Sequence, residues 1–289
     1  MSQTTTVALV QMNAGVGAGD NLAEIEKRVA EARRAGAVYV LTPEMSVVFA
    51  KDRAGLQAAA EPWEGNRAMA RLAGIARDNG VFLHIGSLAI ALEDGRFANR
   101  SVLFDPQGGI VSRYDKIHLF DAEIDGANAY RESATYAGGD TAVTADIEPF
   151  VLGISICYDL RFPALYRTLA EAGAQVIAVP SAFTVPTGEA HWHVLLRARA
   201  IETGCFVLAA AQGGRHENGR ATYGHSLIVS PWGKVIAEAD GAEPGLVVAA
   251  LDLDAVAEAR QRVPALANAR FFRAGAPQSG STLKTQAGN

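Results

Sequence analysis

The two cysteines of this 289-residue chain stand in different surroundings. Cys205 opens the apolar run CFVLAAA, whereas Cys157 closes VLGISIC and is followed at once by YDLRFPALYR. A thiol placed where a strand turns into a helix has free backbone N–H groups beside it. These favour thiolate and offer donors to an oxyanion. A cysteine nucleophile also needs a proton acceptor. In α/β sheets ligands gather outside the carboxyl ends of strands, so the residues that follow the other apolar runs matter most. They are Glu44 after VYVLTP, Lys116 after VSRYD, Ser181 after VIAVP and Gln212 after FVLAAA. An acid, an amine and a thiol can make one catalytic constellation. Each alone has a plainer reading: an inert core thiol, a loop acid, a surface lysine.

Histidine is the usual partner of a catalytic thiol. His118, in DKIHLF, lies near Lys116 and shares its face only if that strand is regular. His191 and His193 are two apart in AHWHVLL and point to different sides of a helix, a spacing that matches no zinc pattern. No metal site is expected from them with Cys157 or Cys205.

The elements that must position these groups are legible as alternating strand and helix patterns. Residues 6–12 read as a buried strand, and Leu22, Ile25, Val29 and Ala32 fall on one helical face that Gly36 closes. A second strand leads to Glu44. A second helix follows, through Met69, Leu72 and Ile75, with Asn79-Gly80 as its stop. Residues 81–90 read as a third strand, and Asp105-Pro106 with Gly108-Gly109 mark a hairpin before Lys116. The second half repeats the plan. Phe162, Leu165, Tyr166 and Leu169 line a helix after Cys157, whose wide apolar stripe suggests a face for a second copy, and VIAVP is a strand. Val194, Leu195, Ala198 and Ile201 line the next helix, and FVLAAA is a further strand. Two β-rich halves, each with about two covering helices, suggest sheet packed on sheet with helices outside.

Composition sets the class. With 49% hydrophobic and 20% charged residues the chain is globular, and a formal net charge of −5 gives no basic field for nucleic acid. No apolar run approaches the roughly 20 residues of a membrane span, and MSQTTTVALVQMNAG does not read as a secretory signal. Two cysteines are too few for a disulfide framework and fit a reducing compartment, so a cytoplasmic location is expected. A single domain over residues 4–273 is expected, with the small, polar residues 274–289 as a flexible tail.

Three stretches, LTPEM (41–45), RYDKIHLF (113–120) and GISICYDLRFP (153–163), stand in the order seen in the carbon–nitrogen hydrolase, or nitrilase-like, superfamily. Over residues 7–273 the chain resembles that superfamily. TGEAHWHVLLRARAIETGCFVLAAAQGGRH and ATYGHSLIVSPWGKV are most similar to its branch of deaminated glutathione amidases. The resemblance implies an α/β fold, a four-layer α-β-β-α sandwich, and a homodimer. It implies a catalytic Glu44, Lys116 and Cys157, with Glu132 in YRESATYAGGD as a supporting acid. Glu44 would take the thiol proton and later pass it to the leaving amine, a role that asks for burial beside another acid. Lys116 and the Tyr158 backbone N–H would hold the oxyanion. No metal or organic cofactor is implied.

The substrate implied is a small amide with an acidic acyl group, deaminated glutathione first. An ω-amidase acting on α-ketoglutaramate, an N-carbamoyl amino acid hydrolase and, from another class, a silent binding protein of the same fold are the alternatives. Arg161 is the candidate cation for the acyl carboxylate, set against pairing with Asp159 or a helix end. Phe183 and Thr187 are candidate pocket residues. Where relatives commonly show RFPEL and AHWE, this chain has Ala164 and His193.

Overall fold

Two sheets with one plan organise the protein, a computed structural model that describes residues 4–124 and 129–275. Most of the expected tail, residues 276–289, lies outside the described residues. In the first sheet Thr4–Gln11, Tyr39–Leu41 and Phe82–Ala91 run parallel. Gly245–Asp252 flanks them antiparallel on one side, and Phe97–Phe104 and Ile110–Asp115 on the other. In the second sheet the parallel strands are Val151–Ile154, Val176–Ala178 and Phe206–Ala209. They lie between Val143–Asp146 on one side and Leu227–Val229 with Val235–Glu238 on the other.

Side-chain alternation along each strand sorts the layers. Val7 and Leu9 share a core with Ile154, Val176 and Leu208 of the other sheet. Ala8 and Val10, one residue out of phase, pack instead with Leu22, Ile25 and Val29 of the helix Ala18–Arg34 and with Leu72 and Ile75 of Arg67–Asn79. On the far side the helices Pro163–Glu171 and Val185–Thr203 cover the second sheet. The result is a four-layer α-β-β-α sandwich. Each fully buried Val or Leu in these interfaces contributes about 1.5–3 kcal/mol.

Local signals set the helix ends. Asn66 caps Arg67–Asn79 by accepting from the Met69 N–H at 3.0 Å, and Gly80 ends that helix at φ +60°, a conformation glycine adopts without penalty.

Two expectations are corrected by packing. The stripe expected on Val185–Thr203 is the wrong one, because Val194 and Ile201 are exposed while Trp192, Leu196, Arg199 and Ala200 are buried. The helix carries apolar residues on several sides, and Arg199 faces inward because its guanidinium donates to the Leu160 carbonyl at 2.7 and 3.0 Å. The stripe on Pro163–Glu171 is not left over for a partner. Leu165, Tyr166 and Leu169 belong to the chain's own core, and Arg167 pairs with Glu171. Among the described residues, no helix is long and apolar enough to cross a membrane.

Candidate active site

Three of the expected residues arrive at one place from separate strand ends. Past Tyr39–Leu41 the chain turns sharply, with Met45 at φ +54°, and the turn is held by Met45 N–H donating to Ser87 Oγ at 2.9 Å. Gly86 is required beside it: a Cβ there would strike the Thr42 carbonyl and the Pro180 ring. Gln212, one of the strand-end residues, donates through Nε2 to the Glu44 carbonyl at 2.9 Å. Ser181 turns its hydroxyl back to the Val179 carbonyl instead. Lys116 follows Ile110–Asp115 and is buried to 2% exposure.

Cys157 begins a short 3-10 turn, Cys157–Arg161, with φ +49°. A non-glycine residue in the left-handed region costs of order 1–3 kcal/mol and persists only where its surroundings enforce it. Here Cys157 N–H donates to the Pro180 carbonyl at 2.9 Å, and Ile156 N–H donates to Asp159 Oδ2 at 2.9 Å. Among the described residues, the Tyr158 N–H donates to no backbone oxygen outside its own turn. Asp159 is fully buried and also accepts from Tyr114 OH (2.7 Å) and from His118 N–H (3.0 Å), with His118 Nδ1 at 2.6 Å. His118 is thereby committed to Asp159, its ring stacked on Phe162 at 3.6 Å. The acid that faces the thiol is Glu44.

The charged groups form a closed array. Lys116 Nζ donates to Glu44 Oε1 at 2.9 Å and to Glu132 Oε2 at 2.8 Å. Glu132, in the turn Glu132–Ala134, is fixed in addition by the Phe120 N–H at 2.6 Å. Glu44 Oε2 accepts the Ala182 N–H at 3.0 Å. Burial works against the lysine charge, yet the carboxylates of Glu132 and Glu44 outweigh it and hold the ammonium well above its ordinary value. Burial, and then the Glu44 carboxylate, push the Cys157 thiol well up, although Lys116 pulls the other way. The resting thiol therefore keeps its proton.

Sequence reasoning missed Asn99. Its Nδ2 donates to Glu44 Oε1 at 3.0 Å and to Glu132 Oε1 at 3.1 Å, so one amide ties both acids. The two carboxylate acceptors fix its orientation, since a flipped amide would set oxygen against oxygen. Its Oδ1 is buried without a hydrogen-bond partner among the described residues. An asparagine inside the buried strand Phe97–Phe104 was the available signal, because that strand is otherwise a poor place for an amide.

The array opens into a cavity of about 500 Å³. Cys157, Tyr158, Arg161, Phe183 and Thr187 all line it. Arg161 does not pair with Asp159. Its guanidinium lies 3.3 Å from His191 Nδ1 and over the Phe183 ring at 5.6 Å. Phe183 packs on Trp192 at 4.8 Å, and Thr187 Oγ1 lies 2.8 Å from Thr184 Oγ1. The net charge of the chain is negative, yet among the described residues six cations line this cavity (Lys51, Arg53, Lys116, Arg131, Arg161 and Arg220) against the acids Glu44, Asp52 and Glu132. Such a lining suits an anionic ligand.

The carbon-nitrogen hydrolase family profile matches residues 6–261 of the chain. The chain is 40% identical over 279 residues to the deaminated glutathione amidase of Yersinia enterocolitica, covering 96% of each protein. Among solved structures it is similar to the C. elegans NitFhit protein, with TM-score 0.86 and 32% identity, over 93% of this chain and 66% of that longer one. It is also similar to a glutamate-to-glutamine mutant of the amidase from Nesterenkonia sp. AN1, seen after Michael addition of acrylamide at the active site cysteine. There the TM-score is 0.76 with 30% identity, over 90% of this chain and 98% of that one.

Proposed function

The chain belongs to the carbon-nitrogen hydrolase family, and from that premise we propose that it is an amidase that cleaves deaminated glutathione to 2-oxoglutarate and cysteinylglycine through a thioester on Cys157. The observation that carries this reading is the buried Glu44–Lys116 pair, joined by the half-buried Glu132, in a cavity that also holds the Cys157 thiol and, among the described residues, has a cationic lining.

The steps follow from the groups present. Glu44 takes the Cys157 proton as the sulfur attacks the amide carbon, and the carbonyl electrons move to oxygen. Lys116 and the Tyr158 N–H donate to that oxyanion, where loss of one donor typically costs about 10²–10³ in kcat. Collapse breaks the C–N bond, and the proton on Glu44 goes to the leaving amine. Glu44, again a carboxylate, then deprotonates a water that attacks the thioester. The second oxyanion collapses to release the acid, and the proton returns through Glu44 to the thiolate. Glu132 keeps Lys116 aimed throughout.

Arg161 is assigned to the carboxylate of the acyl group, with Phe183 and Thr187 shaping its wall. The cations Lys51, Arg53 and Arg220 favour a substrate whose leaving group bears a second carboxylate, as cysteinylglycine does. The leaving group of α-ketoglutaramate, ammonia, has none. A panel of deaminated glutathione, α-ketoglutaramate and N-carbamoyl-β-alanine tests this. The largest kcat/KM is expected for deaminated glutathione, and a larger value for either competitor reassigns the substrate while leaving the chemistry in place.

A homodimer belongs to the same reading, supported by the exposed Val194 and Ile201 on the outer face of Val185–Thr203. A monomeric mass by light scattering would count against it. Two free cysteines accord with a cytoplasmic location.

A further inference from the structure

On the outer side of the second sheet, three ligand-type side chains from three elements converge outside the cavity. His193 comes from the helix Val185–Thr203, Glu238 is the last residue of Val235–Glu238, and His225 lies in the bend that follows Ala221–Tyr223. His193 Nε2 is 2.7 Å and His225 Nδ1 3.1 Å from the same oxygen, Glu238 Oε1, and the three ligand atoms all lie within 4.8 Å of one another. We propose that these three residues bind one divalent first-row transition ion, with zinc the best match to the ligand set.

Geometry and chemistry both support this. Ligand atoms about 2.0–2.2 Å from a tetrahedral zinc stand about 3.3 Å from one another, so small side-chain rotations carry the observed spacings to bonding ones. Two imidazole nitrogens and one carboxylate suit zinc or cobalt, whereas magnesium and calcium prefer oxygen alone. Glu238 Oε2 has no hydrogen-bond partner among the described residues, so the carboxylate is free to turn. The three side chains are about one-third exposed, at 34%, 29% and 32%, which leaves an ion a way in.

The second observation is the backbone of His225. It is held at φ +54°, in the left-handed region, by bonds at both ends: its N–H donates to the Gly241 carbonyl at 2.9 Å, and its carbonyl accepts from Trp192 Nε1 at 2.8 Å. The ring then lies on Tyr223 at 4.4 Å. A strained, fully tied backbone that aims an imidazole at a second imidazole and a carboxylate marks a constructed site. None of the three residues lines the amidase cavity. An ion there joins the helix that backs the pocket wall to the end of the second sheet.

The test uses the full chain carrying Cys157→Ala, so that the active-site thiol does not compete for metal. Titration calorimetry with zinc chloride is expected to give one ion per chain, cobalt to give visible d–d absorption on binding, and magnesium to give no heat. His193→Ala and Glu238→Gln alter exposed side chains and should leave the metal-free melting curve in place, while each weakens zinc binding by about tenfold or more. His225→Asn, which keeps a residue tolerant of the left-handed region, should do the same. Absence of a stoichiometric ion on the parent protein, or unchanged zinc affinity in His193→Ala and Glu238→Gln, overturns the proposal.

Discussion

The sheet built on Thr4–Gln11 and the sheet built on Val151–Ile154 share one strand plan, three parallel strands between antiparallel flanks, yet they bring different chemistry to the site. The first side delivers Glu44, Asn99 and Lys116, all buried and locked to one another at 2.9–3.0 Å. The second delivers a single soft group, Cys157, on a left-handed turn. Fixed charge costs little to aim when it is already held by hydrogen bonds. A nucleophile must instead be pushed clear of its strand so that substrate can reach it. The contrast teaches that neither sheet holds a site alone: the first sets the electrostatics that the second sheet's thiol experiences, and the two meet only when they pack face to face.

The most direct way to break this division is to remove the nucleophile. Cys157→Ala is expected to lower kcat by roughly 10⁴–10⁶ while the protein keeps its fold, because loss of a nucleophile outweighs that of its helpers and one thiol is a small packing loss. Mass spectrometry of the wild type after a substrate pulse should show the acyl group on Cys157. An adduct on Cys205 would falsify the assignment. Next, Asn99→Leu releases both acids on the first side without touching the thiol. A drop of about 10² in kcat with KM little changed is expected, as for a misplacement of catalytic groups by an ångström; an equal rise in KM would show that Asn99 serves binding instead.

The first sheet also carries a buried imidazole. His84 lies between Tyr39 OH and Ser101 Oγ, each at 2.6 Å, and burial pushes its pKa down to about 3. Between its unfolded value near 6.5 and that folded value, the unfolded chain binds a proton that the native one does not. Stability from this group therefore falls as pH falls, by up to about 1.4 kcal/mol per unit. Denaturant melts between neutral pH and the acid side should show that slope in the wild type and a shallower one in His84→Gln; equal slopes would remove His84 from the account. The smallest effect is expected on the second side. Cys205 is a buried thiol against the Ala174 carbonyl and Arg260, so Cys205→Ala should cost about 1 kcal/mol of stability and leave kcat unchanged.

How far the sequence could be read follows from the range of the interactions. The face of Leu22, Ile25, Val29 and Ala32 is as the 3.6-residue period predicts, because one face of that helix is apolar and the other charged. Val185–Thr203 defeated the same rule, since a buried Arg199 and exposed Val194 and Ile201 reverse the usual signs. Glu44, Lys116 and Cys157 stood out as polar residues at strand ends. Glu132, in a loop, was reached through family resemblance, and Asn99 was not reached at all. Its partners lie 55 and 33 residues away, beyond any local pattern. The pairing of His193 with His225 and Glu238 is equally non-local, so no ligand spacing in the sequence announces it.

Asp159 has a consequence of another kind. Two residues past the thiol, it grips Tyr114 and His118, the residues two before and two after Lys116. The Cys157 sulfur and the Lys116 ammonium are therefore surveyed from a common datum, and not each from its own sheet. Any slip of one sheet over the other would have to break these bonds first, so the tie fixes the sulfur-to-ammonium interval across the interface.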